Sequence, residues 1–289
     1  MRDGIKILRD GDPADFPGAA ARFRTALNYQ SEDANVYFWL GLAYSDFQDP
    51  IRATAPAKEA ATMYDPKMAN AWLLWGQALL YRGEYADALE KLKEAERLAP
   101  EDPLVLFNLG RVLYHGFSDY AGAYYQFNQV WTRYSGSRQT RPELFPVVVQ
   151  ARLYMAYCNE ELRKWDDAIR YYKEVRDTYM EYLPGGAGNL DLRARLAATL
   201  RLAGRPTESL SAYQDLLARL RSLPADEARE KLLADVRFRL GHLYLTEDGV
   251  INLTLAEQQF EDFLKMNPDK HPQYGMVREY MRQWESGGR

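Results

Sequence analysis

The sequence predicts an all-α protein, a stack of paired antiparallel helices closed at its C-terminal end by one further helix. Three observations predict it. A glycine follows a bulky apolar residue in Leu40-Gly41, Trp75-Gly76, Leu109-Gly110 and Leu240-Gly241, and the first three glycines are 35 and 34 residues apart. Each glycine lies in an apolar frame: Tyr37-x2-Leu40-Gly41-x2-Tyr44, Trp72-x2-Trp75-Gly76-x2-Leu79, Leu106-x2-Leu109-Gly110-x2-Leu113 and Arg237-x2-Leu240-Gly241-x2-Tyr244. Spacings of three, four and seven put these positions on one face of a helix. A second apolar helix pattern and then a proline follow, and proline disfavours helical geometry in the residue before it. A helix pair of this length cannot bury its apolar face alone, so neighbours must stack.

Taken in order, residues 16–29 read as the second helix of an incomplete unit, on Ala19-x3-Phe23-x2-Ala26, with a short first helix expected in 1–10 before Gly11 and Pro13. The first full unit starts near 34; its second helix is read on Thr54-x3-Lys58-x2-Ala61 and stops at Asp65-Pro66. The second, near 69, has Ala88-x3-Leu92-x2-Ala95, the turn Arg82-Gly83-Glu84-Tyr85 and the stop Ala99-Pro100. The third starts near 103. Residues 135–146, with Gly136, Pro142 and Pro146, read as a loop that either separates two sub-stacks or lies inside one.

The fourth unit, near 149, keeps Met155-Ala156, Trp165 and Ala168-x3-Tyr172-x2-Val175; the fifth, near 190, keeps Leu196-Ala197-x2-Leu200 and Ser209-x3-Tyr213-x2-Leu216, with alanine in the place of glycine. Between them residues 183–189, Leu-Pro-Gly-Gly-Ala-Gly-Asn, read as a turn. The sixth, near 234, has Ala256-x3-Phe260-x2-Phe263 and the stop Asn267-Pro268. Pro272 is placed at the opening of a last helix, with Tyr274, Val277, Met281 and Trp284 on one side and Arg278, Glu279, Arg282 and Glu285 on the other, as a capping helix needs. The organisation is therefore 1–33 an incomplete repeat, 34–136 three repeats, 137–148 a linker loop, 149–268 three longer and divergent repeats, and 269–289 a capping helix and tail.

The 289 residues are 47% hydrophobic and 27% charged, with a formal net charge of -4. That balance gives no general pull towards nucleic acid or acidic membranes. Tyr37, Tyr44, Trp72, Tyr85, Trp165, Tyr172, Tyr213 and Tyr244 take repeat-core positions rather than forming a base-stacking platform. The apolar stretches at 71–81 and 147–157 are too short or too interrupted to span a bilayer, and residues 1–15 do not read as a signal peptide. The single cysteine, Cys158, excludes an internal disulfide and reads as a structural thiol. His115, His242 and His271 show no metal-ligand spacing. Gly185, Gly186 and Gly188 are not followed by Gly-Lys-Ser/Thr. No G-x-S-x-G occurs. The expectation is a chain without catalytic site, cofactor or metal.

The frame at 69–102 resembles the tetratricopeptide repeat, a helix-turn-helix of roughly 34 residues with the pattern W-x2-L-G-x2-Y…A-x3-F…P. The resemblance implies a right-handed superhelical α-solenoid whose first helices line a concave groove, and a scaffold or adaptor that holds a peptide or protein segment there. The family's groove-facing positions fall on Phe38, Trp39 and Leu42; on Asn70, Leu73, Leu74, Gln77 and Tyr81; on Phe107, Asn108, Arg111 and Tyr114; on Tyr154, Tyr157 and Glu160; and on Arg195, Arg201, Phe238, Arg239 and His242. Such a groove has aromatic anchors in its first half and more arginine in its second. The clamp with which some members hold a chaperone's C-terminal carboxylate is not matched: Asn108 fits one slot, whereas Leu73, Gln77, Gln150 and Tyr154 do not fit the others. The implied partner is another protein or peptide, with self-association as an alternative. Two further functions stay open at this point. One is a bacterial cell-envelope assembly factor of the outer-membrane lipoprotein type, to which 125–134 and 154–179 are similar in style. The other is the regulatory or sensor portion of a larger enzyme or transcription factor. The compartment is cytoplasmic or, where a signal or anchor has been removed, periplasmic.

Overall fold

The computed structural model describes residues 2–10, 16–29, 33–46, 50–65, 67–183, 185–266 and 271–286. Among these residues the structure is helical, without a strand. The chain divides into two compact units, Met1–Leu162 and Arg163–Arg289.

The first unit holds α1 (Arg2–Asp10), α2 (Phe16–Leu27), α3 (Ala34–Asp46), α4 (Pro50–Glu59), α5 (Ala69–Tyr81), α6 (Tyr85–Leu98), α7 (Pro103–Phe117), α8 (Tyr120–Tyr134) and α9 (Phe145–Glu161). Each helix packs on the next, and α3, α5, α7 and α9 also lie side by side, so the first helices of successive pairs form one layer. The glycine frame explains the close crossing. A Cβ built on Gly76 would stand 2.6 Å from Leu92 Cγ, so only glycine lets α5 approach α6 with that leucine fully buried between them. Side chains such as Leu92 and Phe127, both at 0% exposure, contribute about 1.5–3 kcal/mol each by burial. Residues 120–134 repeat the second-helix spacing as Ala123-x3-Phe127-x2-Val130, all three buried, a signal the sequence reading did not use.

One expectation is corrected in this unit. α4 buries Ala53 and Ala57, and Ala60 and Ala61 follow, buried, in the next turn; of the expected Thr54, Lys58 and Ala61 only Ala61 is buried, Lys58 being exposed and Thr54 half-buried. The proline of the expected stop, Pro66, lies outside the described residues. Residues Ala60–Tyr64 form a π-helical turn, closed by the Asp65 N–H donating to Ala60 O at 3.0 Å. That wider turn takes up one residue, which accounts for the 35-residue interval between Gly41 and Gly76. The segment at 137–148, read as a loop either between two sub-stacks or inside one, is followed without a gap in the packing. A 3-10 turn at Ser135–Arg138 leads through Phe145, buried at the start of α9, and α9 packs on α8. The division between units falls after α9.

The second unit holds α10 (Trp165–Glu174), which continues into a π-helical turn (Val175–Tyr179), then α11 (Gly185–Leu202), α12 (Pro206–Ser222), α13 (Glu227–Thr246), α14 (Leu253–Lys265) and α15 (Tyr274–Glu285), each packed on its neighbour in sequence. Ala197 allows a hydrogen bond between layers, its carbonyl accepting from the Ser209 hydroxyl at 2.7 Å. Gly241 faces Phe260 as Gly76 faces Leu92, with a built Cβ at 2.5 Å. The turn expected at 183–189 is shortened, because α11 already begins at Gly185. Glycine costs about 1 kcal/mol in a helix interior. Here the glycines occupy the first turns, and Leu192, Leu196, Ala197 and Leu200 carry the helix onto α12. The C-terminal helix starts at Tyr274, with Pro272 in the exposed turn before it. Val277 is buried, and Tyr280 and Trp284 lie 5.7 and 5.9 Å from the Phe260 ring, so α15 covers α14.

Candidate protein-binding face

The first-helix layer of the first unit brings together five of the side chains read as partner-facing: Tyr81 from α5, Arg111 and Tyr114 from α7, and Tyr154 and Tyr157 from α9. Local rules place them. The Asp102 carboxylate caps α7, accepting from Leu104 N at 2.8 Å and Val105 N at 3.3 Å, with Pro103 next to it. From that start, Phe107, Arg111 and Tyr114 follow at spacings of four and three and share one face. Tyr154 and Tyr157 share a face of α9 by the same rule, and Tyr81 ends α5 at 61% exposure.

Arg111 links α7 to Tyr81 of α5. Its guanidinium carbon lies 5.2 Å from the centre of the Tyr81 ring and 5.9 Å from that of Phe107, and its Nη1 donates to Asn108 Oδ1 at 3.3 Å. Tyr114 meets Tyr154 edge-on at 5.7 Å and lies 6.5 Å from Tyr157; Tyr154 and Tyr157 are 5.4 Å apart. Below them Tyr154 stacks on the buried Phe127 at 4.8 Å, which fixes its ring. Sequence reasoning missed three participants. His115 Nε2 lies 3.1 Å from Tyr154 Oη, Tyr120 sits edge-on to Tyr114 at 5.3 Å, and Glu161 accepts from the Tyr114 hydroxyl at 3.5 Å. These lie at helix ends, beyond the repeat positions the reading carried over. Burial first, and the Arg111 charge second, hold the His115 imidazole below its ordinary range.

Other expected residues lie elsewhere. Leu73, Leu74, Phe107 and Asn108 have exposures of 5%, 2%, 6% and 1%, so they serve packing and present no surface. Leu74 reaches the Gly41 position of α3, Phe107 meets Phe127 edge-on at 5.6 Å, and Asn108 Nδ2 donates to Leu104 O at 2.7 Å. Asn70 is exposed at the start of α5 and Gln77 is half-buried. Phe38, Trp39 and Leu42 are half-buried on α3. Trp39 stacks on Phe23 of α2 at 6.5 Å and meets Phe38 at 5.5 Å, which makes it part of the α2–α3 packing.

In the second unit the arginines are neutralised by neighbours. Arg195 pairs with Asp191 at 3.2 Å, Arg201 with Glu247 at 3.1 Å and Arg239 with Asp235 at 2.6 Å. Phe238 packs 6.3 and 6.4 Å from Phe260 and Phe263, and His242 Nδ1 lies 3.1 Å from the Thr246 hydroxyl. Cys158 is buried, and burial pushes its thiol up to about 12, far from a reactive thiolate. Among the described residues no three His, Cys, Asp or Glu side chains group as a metal site, and no helix is long and apolar enough to cross a membrane.

A family model described as tetratricopeptide repeat matches residues 73–138, and a second with the same description matches residues 150–179. The chain carries tetratricopeptide repeats. No curated protein matches it in sequence. Solved tetratricopeptide-type structures share its fold. PilW, a widely conserved type IV pilus biogenesis factor, aligns with a TM-score of 0.61 at 20% identity over 84% of this chain and 97% of its own. PilF of Pseudomonas aeruginosa aligns with a TM-score of 0.59 at 19% identity over 86% and 97%. YrrB, described as a tetratricopeptide-repeat protein with an unusual peptide-binding site, aligns with a TM-score of 0.53 at 18% identity over 70% and 94%.

Proposed function

We propose that this tetratricopeptide-repeat chain is a non-catalytic scaffold that holds a segment of another protein on the first-helix face of its first unit. The observation that carries the reading is the gathering of Tyr81, Arg111, Tyr114, Tyr154 and Tyr157 from three successive first helices onto one face. Aromatic and arginine side chains are the commonest interface hot spots. The Tyr154 ring is held from beneath by Phe107 and Phe127, so that side chain loses little freedom on binding. Tetratricopeptide-repeat proteins bind other proteins or peptides, and YrrB is described with a peptide-binding site. The likeness to PilW and PilF concerns the fold and brings no role in pilus assembly with it.

The test is affinity capture from native lysate with the wild-type chain and with a Tyr81→Ala, Tyr157→Ala double variant, each first shown to be folded by circular dichroism. These two positions are preferable to Trp39 and Phe107, whose truncation would disturb packing. Proteins captured by the wild type are expected to be lost with the variant. An identical set captured by the folded variant would count against this face.

A further inference from the structure

The proposed binding face holds one cation without a carboxylate. Arg111 is half-buried on α7 between the Tyr81 and Phe107 rings, and its one acceptor is the neutral Asn108 Oδ1. Among the described residues no carboxylate pairs with it. The contrast with Arg195, Arg201 and Arg239, each paired with a carboxylate, is direct. Ring faces attract a guanidinium and replace part of its lost hydration. They offer no acceptor for the other N–H groups of a five-donor planar fork, whose geometry matches a carboxylate.

Three polar groups near it are already engaged. Asn108 donates to Leu104 O, Tyr154 Oη shares a hydrogen bond with His115 Nε2, and the Tyr114 hydroxyl donates to Glu161. Resting on the reading above, we propose that the segment held on this face carries an Asp or Glu side chain that pairs with Arg111, beside an aromatic or large aliphatic residue that lies against Tyr81. The pair forms in a half-desolvated, ring-lined place, where a charge-assisted bidentate bond is stronger than on open surface.

The experiment selects a randomised phage-displayed peptide library on the full chain, then measures synthetic copies of the selected peptides by fluorescence anisotropy. Wild type is compared with Arg111→Gln, Arg111→Lys and the Tyr81→Ala, Tyr157→Ala variant, with circular dichroism confirming each fold. The selected peptides are expected to share an Asp or Glu next to a large apolar residue. Changing that acid to its amide, or Arg111 to Gln, weakens binding about tenfold or more. Making both changes adds little to either one. Arg111→Lys, which keeps the charge and loses the fork, gives an intermediate loss, and added salt weakens the wild-type complex.

Peptides without an acid that bind Arg111→Gln as tightly as wild type, yet lose affinity for the tyrosine variant, overturn the carboxylate pairing and leave the face reading intact. Binding abolished by amidating the peptide terminus alone moves the carboxylate to the chain end and overturns the proposal. Peptides indifferent to every variant, or a library that yields none, overturn both readings.

Discussion

At Gly241 the closeness of α13 and α14 is set by a missing side chain. A Cβ there would enter the Phe260 ring, so Gly241→Ala is expected to cost about 1–3 kcal/mol through displaced packing, read as a lower thermal midpoint. Arg237 is the buried counterpart of Arg111. It pairs with Asp262 at 2.6 Å, with side-chain exposures of 11% and 25%, so Asp262→Ala strands a guanidinium in the core. The expected loss is about 2 kcal/mol in urea denaturation, below that of a fully buried pair because Asp262 still meets water. The histidines set a pH dependence. His115, His242 and His271 are all held below the ordinary 6.5, by burial first in each case. The unfolded chain therefore binds protons that the folded chain refuses. Stability from these groups is complete above 6.5 and is lost as pH falls towards their folded values. The thermal midpoint is expected to fall over that interval, and His115→Gln is expected to lessen the fall.

Helix identity was legible because glycine and apolar spacing carry it: the Gly76, Gly110 and Gly241 crossings lie where the frames put them. Register was less legible wherever an extra residue enters. The sequence places Pro66 where a stop belongs, and nothing in its pattern distinguishes an α-helix that ends late from one that widens at 60–64. The hydrogen bond from the Asp65 N–H back five residues to Ala60 O decides it. A pair of deletions tests the account. Removing the exposed Thr62 is expected to convert the π-helical turn to α-helix, with a thermal midpoint close to the wild type's, because the buried alanines lie before it. Removing the exposed Glu90 from α6 turns Leu92 and Ala95 off the core, and that variant is expected to unfold or aggregate. Similarly, the three glycines near 185 resemble a turn in composition, and the apolar contacts further along α11 override that local preference.

Across the molecule, the candidate face was legible in part. Repeat positions nominate residues by where the backbone points, but whether a side chain reaches solvent depends on the neighbouring helix: Tyr81 does, while Phe107 and Asn108, nominated by the same rule, are covered. Charge neutralisation was not legible either, since Glu247 lies 46 residues from the Arg201 it pairs with. The capping role of α15 gives a further expectation. Val277→Asp places a carboxylate at a fully buried site over α14, and light scattering of that variant is expected to show association through the uncovered Phe260 and Phe263.

The side-by-side arrangement of α3, α5, α7 and α9 has an evolutionary consequence. What fastens one hairpin to the next is buried between the layers, whereas Tyr81, Tyr157 and the tip of Arg111 lie on the outer side of one layer. Substitutions at those tips can accumulate without repacking the interior, so descendants of this chain are free to change the client they recognise while inheriting the same frame.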